Sequence, residues 1–256
     1  NGKSVSVKHY RAPNSEDLKN EQKVNHLLGE RLVFWQEKGY IPSRKIEPGA
    51  ETTRLQRERG WTYWHHLFTP RQLLIMGLFS EKMEIVRNDH IGLAGTLLSL
   101  GNCANWFSKL CYWISDAANE KTASTFYNQA LNTLSSYASR SLLTLDTTWF
   151  ANVTNAPIYG NYLVKTEDAR AIQQSCDFWV TDPPYADAVN YAEISEIFLS
   201  WYDKWIQRIF PDWYNDTKRS LAVRGNDRDF RQSMMDCYRK MNENMPDDGM
   251  QIVMFT

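Results

Sequence analysis

The run Asp177-Phe178-Trp179-Val180-Thr181-Asp182-Pro183-Pro184-Tyr185 decides how this chain is read. Its first part, Phe178 to Thr181, is short, apolar and rich in aromatic and β-branched residues, which predicts a strand. Two prolines then fix φ and withdraw two backbone donors, so the strand stops and a stiff turn begins. An acidic side chain, Asp182, and an aromatic one, Tyr185, flank the prolines. The same four residues also suit an ordinary turn. Their place gives them weight, because open α/β sheets bind ligands beyond the carboxyl ends of their strands.

Working outward, Ile158 to Val164 reads as a further strand and Glu167 to Gln174 as a short helix, so a strand–helix–strand unit leads into Asp182. After the turn, Ile194, Ile197, Phe198, Trp201, Trp205 and Ile206 mark a helix from Tyr191 with one aromatic face, ended by Pro211. Asn215 to Arg231 is charged and loop-like, with Lys218, Arg219, Arg224, Arg228 and Arg231. Helical sequence resumes to about Asn244. Asp247-Asp248-Gly249 is a turn, and Gln251 to Thr256 reads as another strand. Residues 147–256 are therefore expected to form an α/β part that carries the Asp-Pro-Pro-Tyr turn.

Residues 61–146 have a different rhythm. Thr69-Pro70 is an N-cap followed by a first-turn proline, and Ile75, Met76, Phe79, Met83 and Val86 follow at helical spacing. Leu93, Leu97, Leu100, Ala104, Phe107, Cys111 and Ile114 alternate steps of four and three, a second apolar stripe. Asp116 to Glu120 interrupts it, and Phe126, Ala130, Leu134 and Tyr137 predict a third helix. These stripes are core positions of a helical block. His65 and His66 are adjacent, which suits no helix-face metal pair, and they are taken as structural. Residues 1–60 are polar and read as an irregular N-terminal segment, apart from a helix over Lys23 to Trp35. Lys45, Arg54, Arg57 and Arg59 form a modest basic cluster there, better suited to a solvated loop than to phosphate.

Composition narrows the classes. The 256 residues, 43% hydrophobic, suffice for one sizeable core or a domain with an inserted subdomain. A net charge of −1 gives no global basic field, so any nucleic-acid surface is local. Cys103, Cys111, Cys176 and Cys237 lack Cys-x-x-Cys spacing, which argues against a zinc site and for reduced thiols in the cytoplasm. No apolar run reaches membrane-spanning length and no signal peptide is visible. The first residue is Asn1 rather than Met, which suggests a piece of something longer.

The strand and turn at Asp177–Tyr185 resemble the catalytic strand and loop of amino-directed DNA methyltransferases. More narrowly, the chain resembles the large prokaryotic adenine-specific DNA methylases that carry an N-terminal domain of unknown function, some of which occur in phage-defence loci. Three further stretches carry the likeness in the same order. They are Trp64-His65-His66-Leu67-Phe68-Thr69-Pro70-Arg71-Gln72-Leu73-Leu74, Ser124-Thr125-Phe126-Tyr127-Asn128-Gln129-Ala130 and Val189-Asn190-Tyr191-Ala192-Glu193-Ile194-Ser195. Asp247-Asp248-Gly249-Met250-Gln251-Ile252-Val253 sits where the family has its next strand. The likeness spans roughly residues 40–256.

The resemblance implies an α/β fold with a Rossmann-like methyltransferase sheet, incomplete in this chain, beside a helical subdomain. It implies S-adenosyl-L-methionine as cofactor and double-stranded DNA with a flipped target base as partner, with N6 of adenine the favoured acceptor and N4 of cytosine the other. Asp182 and the Pro183 carbonyl would hold the amino hydrogens, the prolines Pro183 and Pro184 would stiffen the turn, and Tyr185 would stack on the base. An exocyclic amino group shares its lone pair with its ring. A carboxylate that only accepts hydrogen bonds favours a nitrogen whose lone pair is free to attack a methyl sulfonium.

The charged loop supplies the expected DNA contacts, Lys218, Arg219, Arg224 and Arg228. One family element is missing: the chain has twelve glycines and no Gly-x-Gly, so no cofactor-binding residues are assigned. That points to a fragment, or to one part of a split enzyme whose remainder or other defence proteins act as partners, and the piece alone is expected to be inactive. Alternatives are an RNA or protein-glutamine methyltransferase and a non-catalytic DNA-binding or defence-system component.

Overall fold

A computed structural model describes residues 11–114, 121–127, 131, 145–149, 159–184, 190–212, 218–223 and 227–254. The first element is α1 (Ser15–Glu37), begun by a capping box. The Asn14 side chain accepts from the Glu16 and Asp17 amides, and Asp17 accepts from the Asn14 amide at 2.8 Å. It ends at Gly39, whose φ of 72° is one that side chains rarely adopt. Next come α2 (Thr52–Arg59), a single turn at Trp64–Leu67, α3 (Pro70–Lys82), a turn at Met83–Val86 and α4 (His90–Trp106). Thr69 caps α3 with Pro70 in its first turn, as the sequence predicts.

The short strands β1 (Trp113–Ile114) and β2 (Lys121–Thr122) pair antiparallel, and α5 (Leu145–Thr148) follows. The second half contains β3 (Phe178–Thr181), α6 (Tyr191–Ile194), α7 (Glu196–Ile209), α8 (Asp227–Glu243) and β4 (Met250–Val253). The strands β3 and β4 pair in parallel, from Phe178↔Met250 to Thr181↔Val253. The result is a mixed, helix-dominated fold with a small parallel sheet, consistent with the α/β class.

One apolar cluster runs from Leu28 in α1 to Trp205 in α7 and so draws on all three expected segments. Trp35, Trp64, Phe68, Phe107, Trp201 and Trp205 are each under 2% exposed apart from Phe68 at 2%. Each such side chain contributes about 1.5–3 kcal/mol by leaving water. Contacts are close where glycine allows it. A methyl group on Gly77 would lie 2.5 Å from the Trp35 ring, and one on Gly101 would lie 1.7 Å from the Tyr202 hydroxyl oxygen. The stripe Leu93, Leu97, Leu100, Ala104 and Phe107 is buried as expected, but α4 stops at Trp106, so Cys111 and Ile114 are reached by turns rather than by helix.

Several expectations change. The segment read as irregular holds two helices, and α1 outruns the stretch Lys23 to Trp35 because its capping box starts it at Ser15. The strand expected at Ile158 to Val164 is absent over residues 159–164. Tyr159, Tyr162, Leu163 and Val164 are all exposed there. The run has strand-forming residues but no neighbouring strand among the described residues, and a strand needs a ladder partner to satisfy its backbone. The helix at Glu167 to Gln174 shrinks to one turn, Ala169–Ala171, opened by Asp168 accepting from the Arg170 amide. Phe126 lies in a turn after β2, while Ala130, Leu134, Tyr137 and the expected break at Asp116–Glu120 fall outside the described residues.

Candidate functional site

At the carboxyl end of β3 the chain enters Asp182-Pro183-Pro184 beside the end of β4, where the Met254 amide donates to the Thr181 carbonyl at 2.8 Å. Asp182 is exposed, Pro183 buried and Pro184 half-buried. Tyr185 lies outside the described residues. The Gln251 side chain of β4 reaches the Met241 sulfur of α8 at 3.4 Å. Among the described residues, the turn continues from the strand ladder with Asp182 exposed beyond it, at a strand's carboxyl end as expected from sequence.

Pro184 borders a cleft of about 170 Å³ together with Asn190, Tyr191, Glu193 and Val223. Tyr191, Ala192 and Ala222 are shared with a larger cavity of about 580 Å³. Its remaining walls include Phe126, Ile194, Phe198 and Leu221, with Lys165, Glu167 and Lys218 among its polar members. Such an apolar hollow with a few polar groups is the usual form of a small-molecule site. The aromatic wall arises because Tyr191, Ile194 and Phe198 fall three and four apart along α6 and α7. No local sequence signal marks the cavity, because its other side is built from residues 165–167 and 218–222.

Of the basic residues assigned to DNA, Lys218 lines that cavity, and burial lowers its ammonium from its usual range. Arg228 is exposed in the first turn of α8, and Arg224 falls outside the described residues. Arg219 has a different occupation. Its Nε and Nη2 donate to the two Glu196 oxygens at 2.7 and 2.9 Å, and its remaining donors reach the Pro48 and Glu47 carbonyls at 2.6 and 3.0 Å. The side chain is 12% exposed and Glu196 is 2% exposed, so this is a buried bidentate pair that raises the guanidinium further. Such a group is turned into the protein rather than toward phosphate.

Glu193, also buried, accepts from the amides of Ala50, Glu51 and Thr52 at 3.0, 2.9 and 3.3 Å, at the start of α2. The sequence signal for both glutamates is their place in the stripe with Ile194, Ile197 and Trp201, since acids inside an apolar stripe need buried partners. The weaker basic cluster is partly structural as well. Arg54 donates to the Leu131 carbonyl, Arg57 lies 3.2 Å from Glu58, and the Lys45 ammonium sits over the Tyr63 ring.

His65 and His66 each have a hydrogen-bond partner within the fold. The His65 Nδ1 lies 3.3 Å from the Gln36 amide nitrogen, and the Thr62 amide donates to His66 Nδ1. Burial, helped by neighbouring His66, pushes His65 down to about 4. No cluster of metal-ligating side chains occurs among the described residues. The four cysteines form no disulfide, and burial pushes the Cys103 thiol up to about 12. No helix among the described residues is long and apolar enough to cross a membrane.

The fit to a sulfonium cofactor is incomplete. Among the described residues, the turn at the end of β3 is closed by prolines, which have no N–H to offer a carboxylate. The cradle of amides at Ala50–Thr52 is filled by Glu193. No protein-family model, curated protein or solved structure matches the chain.

Proposed function

We propose that the chain is the catalytic part of an S-adenosylmethionine-dependent DNA methyltransferase acting on an exocyclic amino group, N6 of adenine before N4 of cytosine. The observation that supports it is the exposed Asp182 in a proline-stiffened turn at the end of a parallel strand, where Pro184 borders a cleft that shares Tyr191, Ala192 and Ala222 with the aromatic-walled cavity. In this reading β3 and β4 belong to a Rossmann-like sheet. Asp182 and the Pro183 carbonyl accept the two amino hydrogens of an extruded base, and the prolines fix both acceptors before the base arrives. Tyr185 stacks on the ring. Lys218, Arg224 and Arg228 remain the DNA contacts, with Arg219 assigned to the fold, and the protein works in the cytoplasm. The donor supplies a methyl group on sulfur; the described residues do not make a complete site for it.

Two experiments test the reading. In the product of the whole reading frame, Asp182→Ala lowers single-turnover methylation of DNA by about 10²–10³-fold, by analogy with loss of one oriented oxyanion-hole donor. DNA affinity and melting temperature stay unchanged, because phosphate contacts hold the duplex while Asp182 acts on the reacting nitrogen. Tyr185→Ala weakens base capture by about 1–3 kcal/mol, and Tyr185→Phe is nearly silent. Unchanged methylation in a folded Asp182→Ala protein ends the catalytic reading. DNA binding without methylation by the wild type would instead favour a non-catalytic defence component, and preference for RNA or a protein glutamine would move the substrate. By calorimetry the 256-residue chain binds S-adenosylmethionine no tighter than roughly millimolar; micromolar binding would show that the donor site is complete here.

A further inference from the structure

Three charged side chains converge where the aromatic helix leaves the candidate site. Glu193 in α6 and Glu196 in α7 are 6% and 2% exposed, and Arg219 comes from the turn that walls the cavity through Lys218, Leu221 and Ala222. Both kinds of backbone group on one distant loop, residues 47–52, are held at once. Glu193 takes its amides at Ala50, Glu51 and Thr52, and Arg219 donates to its carbonyls at Glu47 and Pro48. The Thr52 hydroxyl joins the two halves, donating to the Glu47 carbonyl at 2.5 Å and lying 3.4 Å from both Glu193 Oε2 and Arg219 Nη2. Gly49 permits the approach, because a methyl there would sit 2.3 Å from the Glu193 carboxylate.

Burying three ionic groups is costly, and well-packed apolar residues often do as well for stability. What an ionic cluster of fixed geometry adds is orientation: a bidentate guanidinium–carboxylate pair accepts only one relative placement of its two chain segments. One of those segments carries Tyr191 and follows the Asp-Pro-Pro turn; the other carries the opposite wall of the cavity.

We infer that Arg219, Glu196 and Glu193 are positioning residues that hold the 218–222 wall and the 47–52 loop in register with the Asp182-Pro183-Pro184 turn. The inference rests on the methyltransferase reading for its chemical consequence, though not for the coupling of the segments. Loss of the cluster therefore slows the reaction and leaves DNA affinity nearly untouched.

The test compares Arg219→Lys, Gly49→Ala and the double variant Arg219→Met/Glu196→Met with the wild type, all in the product of the whole reading frame, by amide hydrogen exchange, melting and single-turnover methylation of DNA. Arg219→Lys and Gly49→Ala, far apart in sequence, are expected to raise exchange at both 50–52 and 218–223 by tenfold or more, while α4 keeps its protection. Methylation falls at least tenfold at constant DNA affinity. The double variant recovers the melting temperature without recovering the rate. The inference is overturned if either variant loosens only its own segment, or if rate returns together with melting in the double variant. If the wild type does not methylate, the functional reading fails, and the exchange pattern alone decides whether the segments are coupled.

Discussion

Along α7, Ile197, Trp201 and Trp205 are sealed against α3 and α4, whereas along β3 and β4 the side chains Phe178, Val180, Met250 and Ile252 stand open to solvent. Both surfaces are apolar and both belong to regular elements. They differ in what the chain provides opposite them. The helix finds Phe68 edge-on to Trp201 and Ser80 accepting from the Trp205 indole at 3.1 Å. The strand pair has one side-chain contact to α8, from Gln251 to Met241, and its Phe178, Val180, Met250 and Ile252 side chains meet nothing that covers them among the described residues. Parallel sheets are normally covered on both faces, and a face this apolar is the kind that marks an interaction surface. The helical part is therefore self-sufficient, while the strand end has the geometry of a site without the cover of one. In the proposed function, the further strands and helices of the Rossmann-like sheet would supply that cover.

The comparison breaks most visibly at Trp205. Trp205→Ala removes a 0%-exposed ring and leaves the Ser80 hydroxyl without its donor. A loss of about 3–5 kcal/mol is expected in chemical denaturation; less than 1 would mean that the helical core is not the stable half.

The next effect is on pH. The His65 value lies near 4 in the folded chain because burial disfavours its charged form, against about 6.5 unfolded. Between those values the unfolded state binds the proton and the folded state does not. Stability is therefore full above about 6.5 and declines as pH falls toward 4, by roughly 1–3 kcal/mol in all. His65→Gln flattens that slope, and a slope equal to that of the wild type would assign the acid sensitivity elsewhere.

Smallest is the effect of Phe178→Ser. At 65% exposure this side chain has little packing to lose, so stability of the isolated chain moves by no more than about 0.5 kcal/mol. A loss above 1 kcal/mol would mean that the face is covered within the chain and would erase the contrast with α7.

What could be read from sequence follows the same division. Thr69-Pro70, the stripe from Leu93 to Phe107 and the face from Ile194 to Trp205 state their structure locally, through caps and spacing. β3 and β4 were also legible, because each is a short apolar run beside strong turn residues. Residues 159–164 have the same character yet form no strand, since strand propensity does not say whether a neighbour exists. Arg219 misled for a related reason. Its charge sat in a run of charges, and only the fold places Glu196 against it. The cavity was invisible because its walls come from segments distant in sequence.

The parallel register of β3 and β4 also bears on the order in which the chain opens. Thr181 meets Val253 only after about seventy residues have been closed into a loop, a search that local contacts do not shorten. The pair α4–α7 closes a longer loop still, about ninety residues, but it buries Ile197, Trp201 and Trp205 in doing so, whereas the ladder leaves Phe178, Val180, Met250 and Ile252 exposed. Segments held by few buried contacts open at the lowest free energy. The turn at Asp182 therefore opens before the aromatic core of α7 gives way.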